Sequence, residues 1–179
     1  MFDWNVVVSV HDDGYKRARQ ILGQFGELKR TDFYNVMVLR VEDPPSFLKR
    51  LATLCETVPD ILKAISRAMP ATVVIDFQSA EEFEAKARDA VLAWTPALAN
   101  KSFHVRMHRR GFKELMSSQV EERFLDKALL AALQEADTPG RITFEDPDVI
   151  IDVETVNQRA GLSLWTREDL QRYPFLKLD

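Results

Sequence analysis

Lys101–Lys113 reads KSFHVRMHRRGFK, with five Lys/Arg and two His in thirteen residues and no acidic side chain. The chain as a whole carries a net charge of −4, so this stretch reverses the prevailing sign. Its apolar residues alternate with polar ones. Phe103, Val105 and Met107 fall on one side of an extended segment, and His104, Arg106 and His108 on the other. The pattern predicts a half-buried strand with one face in a core and an open face that attracts anions.

Working outward, Ser79 with Glu82 three residues later is a capping-box pattern, and Phe83, Ala87, Val91 and Trp94 follow at helical spacing until Pro96. Downstream, Ser118 with Glu121 repeats the cap pattern. The helix after it carries Val120, Phe124, Ala128 and Ala131 in one row beside Leu125, Leu129 and Leu133 in another, until Pro139-Gly140 stops it. Ile142–Phe144 predicts a short strand and Glu145-Asp146-Pro147-Asp148 a turn. Val149–Val156 predicts a strand with Val149, Ile151 and Val153 inward, and Leu162–Trp165 a last one.

The first part of the chain has a different order. Trp4–Val10 is a β-rich run, His11-Asp12-Asp13-Gly14 supplies turn and cap chemistry, and Ala18, Ile21, Leu22 and Phe25 mark one face of a helix over Tyr15–Phe25. Strands are predicted at Leu28–Thr31 and Phe33–Val41. A helix opens at Pro44-Pro45 with Phe47, Leu48, Leu51, Leu54 and Cys55 towards the core, a short helical turn follows at Ile61–Ile65, and Ala71–Phe77 predicts a strand. The order β-α-β-β-α-β is the ferredoxin-like arrangement, two helices on one face of a four-stranded antiparallel sheet. The expectation is an α+β chain: a ferredoxin-like domain at residues 1–77, a second α/β domain at 79–165, a linker of a few residues near Gln78–Ala80, and a tail at 166–179.

Composition narrows the function. Residues 1–78 carry ten Lys/Arg against ten Asp/Glu, and residues 79–179 fourteen against eighteen, so neither part is a bulk polycation and any nucleic-acid binding must be focused on a patch. The N-terminus has no signal-peptide pattern and no uncharged apolar run of membrane-spanning length occurs, which predicts a soluble cytoplasmic protein with no membrane partner. Cys55 is the only cysteine, and its place on an apolar stripe predicts a buried structural thiol. Gly-rich phosphate loops, nucleophile elbows and dinucleotide fingerprints are missing, so no catalytic residue and no cofactor is expected.

The stretch FHVRMHRRG (Phe103–Gly111), the Ser-capped helix after it, and DPDVIIDVETV (Asp146–Val156) followed by AGLSL (Ala160–Leu164) resemble the THUMP family, RNA-binding domains of tRNA-modifying enzymes. The resemblance covers roughly residues 79–165, and members commonly carry a ferredoxin-like domain before the THUMP unit. It implies binding of tRNA at the acceptor stem and 3′ end, and presentation of that tRNA to a modification centre. In the enzymes of the family the centre is a fused domain. Here the chain ends at Asp179, so it looks like a stand-alone member, similar to the adaptors that assist tRNA cytidine acetylation, with chemistry on a separate enzyme.

On this basis the candidate RNA-binding residues are Lys101, His104, Arg106, His108, Arg109, Arg110 and Lys113. Side chains two apart on one strand face stand about 7 Å apart, close to phosphate spacing. Arg106 and Arg110 supply forked, charge-assisted bonds to phosphate, and Gly111 permits close approach of a backbone. His104 and His108 would lie about 13 Å apart on a strand, too far to share a metal ion, and are expected to stack on bases or sugars. Lys16, Arg17 and Arg19, with Lys29 and Arg30 after them, offer secondary contacts. The competing expectation, from another class, is a ligand-sensing regulatory module that uses the ferredoxin-like domain.

Overall fold

The computed structural model of the chain describes residues 1–178. The chain divides into two units, Met1–Thr72 together with the segment from Leu170 onward, and Val73–Asp169.

The first unit runs β1 (Val6–Val10), α1 (Tyr15–Leu22), β2 (Gly26–Arg30), β3 (Val36–Val41), α2 (Pro44–Thr57), α3 (Ile61–Ala64) and β4 (Ile65–Pro70). Its sheet has the order β2-β3-β1-β4 with every pairing antiparallel, the ferredoxin-like arrangement. The apolar stripe of α1 is buried at Ala18, Ile21 and Leu22. Beyond the end of α1, Phe25 meets Phe47 of α2 edge to face at 5.2 Å. Cys55 is half-buried rather than buried, and burial raises its thiol pKa.

One strand lies elsewhere than the sequence predicts. The fourth strand of this sheet is Ile65–Pro70, pairing Val6 with Pro70 and Val8 with Ala68, whereas Val73–Asp76 of the expected strand joins the other sheet as β5. The β-rich composition of Val73–Ile75 is a correct strand signal, but it carries no information about which sheet the strand enters. ISRAMP, with Arg67 in its middle, gives almost no signal. Arg67 is nevertheless buried, its Nε donating to Lys177 O. The division therefore falls between Thr72 and Val73, not near Gln78–Ala80.

The predicted tail is also not a separate segment. Its first residue closes β9, and its last part returns to the first unit, where Ala68 N of β4 donates to Phe175 O (3.0 Å) and Tyr173 and Phe175 are buried. This gives an edge strand of the sheet a backbone partner.

The second unit contains β5 (Val73–Asp76), α4 (Ala80–Leu92), a 3-10 turn (Thr95–Leu98), β6 (Ser102–His108), α5 (Ser118–Glu135), β7 (Arg141–Ile142), β8 (Val149–Val156) and β9 (Arg159–Thr166), with α6 (Arg167–Arg172) next in the chain. The sheet order is β5-β9-β8-β6-β7; β6 runs parallel to both neighbours and the other pairs are antiparallel. Phe103, Val105 and Met107 enter the core, as the alternation requires, and Leu125, Leu129 and Leu133 of α5 join the same core. Phe103→Ala is expected to cost about 3–5 kcal/mol. The whole fold is α+β, a ferredoxin-like unit and a THUMP-like unit.

Capping chemistry holds at one helix and fails at the other. Ser79 Oγ accepts from Glu82 N (3.1 Å), and Glu82 returns an oxygen to Gln78 N (2.9 Å). At α5 the N-cap is Ser117 and its side chain makes no capping bond. Glu121 is buried instead, hydrogen-bonded to Glu84. Two more α5 carboxylates serve β6 directly. β7 pairs only with Ser102 and Phe103; further along, Val105 N donates to Asp126 Oδ1 (2.9 Å) and Met107 N to Glu122 Oε1 (2.8 Å). A helix thus completes the strand edge that a neighbouring strand leaves short.

This packing has a pH signature. Burial pushes Asp126 up to about 7. It also pushes Glu121 up to about 8, aided by the bond to Glu84. Both folded pKa values lie above the unfolded ones, so the folded state holds these protons more tightly. The stability they contribute is full below about pH 4 and is lost as pH rises through about 7 and 8. Unfolding midpoints should therefore fall between pH 5 and 9, and the fall should be shallower in an Asp126→Asn/Glu121→Gln variant. Equal slopes would assign the effect to other groups.

Candidate nucleic-acid interface

β6 delivers the cationic stretch to the sheet, and the structure separates its members sharply. The parallel register sets Arg106 beside Asp152 and His108 beside Glu154 of β8. Both carboxylates are buried, at 0% and 2% exposure. His108 Nδ1 lies 3.3 Å from an oxygen of each. Arg110 Nη1 donates to Glu154 Oε2 at 2.5 Å. The basic face of one strand is thus set against the acidic face of the next, with Arg110 ion-paired to Glu154 and His108 close to both carboxylates.

The other predicted residues take separate places. His104 is buried at 8% exposure, its ring 5.4 Å from that of Phe144, and burial lowers its pKa. In the tautomer with the proton on Nδ1 it donates to Val105 O (3.3 Å). Arg109 turns its Nη1 onto Gly111 O and is half-buried. Lys101, Arg106 and Lys113 are exposed.

This geometry gives two of the expected contacts an internal role. Arg110 is ion-paired to a carboxylate in the sheet interior. Gly111 does permit a close backbone approach, but the approaching backbone is the chain's own: at φ +92°, a Cβ there would sit 2.8 Å from Asn157 Oδ1 and 3.1 Å from Asn157 Cα. Arg110 O accepts from Asn157 N (2.8 Å) and Arg110 N donates to Thr155 Oγ1 (3.0 Å), so the RRG segment is pinned to the turn between β8 and β9.

One histidine meets two carboxylates across β6 and β8, a set that strand periodicity alone does not reveal. Ligand atoms of His108, Asp152 and Glu154 lie within 4.8 Å of one another, a spacing that an ion could bridge. Arg110 already supplies Glu154 with a fixed positive charge, which makes the group an ion-pair cluster with its counter-charge built in. Asp152 and Glu154 were legible as alternating polar positions in DVIIDVETV. Their burial was not.

In the first unit, Lys16, Arg17 and Arg19 are exposed, with Arg17 3.7 Å from Asp60. Tyr15, Arg19, Leu28, Lys29 and Arg30 line a groove of about 450 Å³, Arg30 lying over the Tyr15 ring at 5.1 Å. Asp12 does not cap α1. It accepts from Tyr34 Oη and Asn35 Nδ2, both at 2.8 Å, and the Tyr34 bond holds its pKa below the usual carboxylate value.

No protein-family model matches the sequence, and no curated protein is similar to it in sequence. Solved structures are similar in fold. PH1313 from Pyrococcus horikoshii Ot3 matches 90% of the chain at 14% identity, with a TM-score of 0.58 over 54% of its own length. A 4-thiouridine synthetase–RNA complex with bound ATP matches 92% of the chain at 12% identity, with a TM-score of 0.53 and 42% of its own length covered. TrmN from Thermus thermophilus matches 90% at 14% identity, with a TM-score of 0.51 and 44% covered. The chain thus spans about half the length of these structures.

Breaking the Arg110–Glu154 pair leaves a carboxylate buried, so Arg110→Ala should destabilise the protein by about 3 kcal/mol in chemical denaturation. Arg106→Ala, at an exposed position, should be the milder change. Adding Glu154→Leu to an Arg110→Leu variant should restore part of the loss. Equal stability of Arg110→Ala and the wild type would show that the pair is not a structural element.

Proposed function

We propose that this chain is a non-catalytic, cytoplasmic tRNA-binding protein whose THUMP-like unit grips the acceptor stem and 3′ end and presents them to a separate tRNA-modifying enzyme, such as a cytidine acetyltransferase. The observation that carries this is the cationic stretch around β6 of the THUMP-like unit, with Arg106, Lys101 and Lys113 exposed, on a fold shared with a thiouridine synthetase solved in complex with RNA. Arg106, an exposed residue, carries the guanidinium type that makes forked contacts to phosphate, and the two lysines act as point charges at either end of the run. Chemistry is assigned to another chain because the buried acids have structural occupations. Asp126 holds a strand N–H, Glu121 is bonded to Glu84, and Asp152 and Glu154 meet His108.

Binding of tRNA with and without its single-stranded 3′ end, measured across a salt series, tests the proposal. Three cations on single-stranded phosphates give a log affinity against log salt slope of about −2. A Lys101→Ala/Arg106→Ala/Lys113→Ala variant should weaken binding and flatten that slope. Equal affinity for the two RNAs would remove the acceptor-end claim, and no binding at any salt would remove the tRNA claim. The 450 Å³ groove by Tyr15 and Arg19 favours the ligand-sensing alternative, which predicts a thermal shift with an anionic metabolite and no preference for tRNA.

A further inference from the structure

Phe144 is 76% exposed, and it is the only aromatic side chain of the second unit so exposed among the described residues. It follows β7 on a loop held at its root by Thr143 N donating to Phe103 O (3.2 Å) and by Thr143 Oγ1 donating to Glu145 O (3.2 Å). One side of the ring is backed by His104, whose imidazole lies 5.4 Å away at 54°. His104 in turn is buried in the sheet. Arg106 is two residues along the same strand face, about 7 Å from His104 by strand geometry, and it is exposed. Lys101 and Arg141 are exposed where β6 and β7 begin. The loop's own acids are partly offset, since Arg167 Nε bonds Asp146 (2.7 Å) and its Nη1 lies 3.3 Å from Asp148. Glu145 remains as an exposed negative charge.

We infer that Phe144, backed by His104, is a stacking platform for one nucleobase of an unpaired RNA end, with Arg106 taking the phosphate next to it. A solvent-facing aromatic ring next to a cationic strand is a combination that single-stranded nucleic acid can use, because every base offers a π-face and every nucleotide a phosphate. Burial keeps His104 largely uncharged at neutral pH, so it serves as an apolar support for the ring and not as a phosphate ligand. The inference rests on the RNA-binding function proposed above and names a residue that the charge pattern of the sequence does not reveal.

The test is fluorescence anisotropy with two labelled tRNAs, one intact and one lacking the unpaired nucleotides at its 3′ end, against the wild type, Phe144→Ala and Phe144→Tyr. Phe144→Ala should weaken binding of the intact tRNA by about 5- to 100-fold, leave the truncated tRNA unchanged and leave the unfolding midpoint unchanged. Phe144→Tyr should bind both as the wild type does. Equal binding of intact tRNA by Phe144→Ala and wild type overturns the platform while leaving tRNA binding intact. Equal losses on both RNAs, or a lowered unfolding midpoint, also overturn it. Absence of wild-type binding to either RNA overturns the proposed function itself and the platform with it.

Discussion

The parallel pairing of β6 with β8 is the constraint on which the second unit depends. It aligns Arg106 with Asp152 and His108 with Glu154, and it places two carboxylates in the interior of a sheet. Ionised groups there are tolerated only with close counter-charges. Arg110 supplies one to Glu154, and the short RRG segment is folded back against the β8–β9 turn. The basic character of the stretch is therefore first a requirement of the fold, and only what is left on the surface is available to a partner.

Burial of β6 on both flanks has a second consequence. Where β7 ends, Asp126 and Glu122 of α5 take over the strand's N–H groups. Helix and strand are then joined by directional bonds as well as by the apolar packing of Leu125 and Leu129 against Phe103 and Val105. Asp126 retains its proton to about pH 7 because the packing that orients it also desolvates it. Orientation of β6, and with it of Arg106 and His104, is set by this clamp.

What emerges is a division of labour among like-charged residues only a few positions apart. Arg110 neutralises, Arg109 braces a turn at Gly111, and Arg106, Lys101 and Lys113 face outward. Phe144, in ring contact with His104 of the same strand, adds an exposed apolar surface. The groove by Tyr15 and Arg19 in the first unit combines an aromatic ring with cations in a similar way.

By itself the sequence determined the periodicities. Strand alternation committed Phe103, Val105 and Met107 to a core, helical spacing committed Leu125, Leu129 and Leu133, and the element order defined a ferredoxin-like unit followed by a second α/β unit. These are local properties, since a side chain's face follows from its position along its own strand or helix. Only the tertiary structure decided which strand pairs with which: that Ile65–Pro70 rather than Val73–Asp76 completes the first sheet, that Phe175 returns to β4, and that Asp152 and Glu154 lie beside the basic strand. Partner choice depends on residues far apart in the chain, and charge meets charge only through it. KSFHVRMHRRGFK therefore announced a cationic strand in advance, but which of its cations would be consumed internally was decided by β8, some forty residues further on.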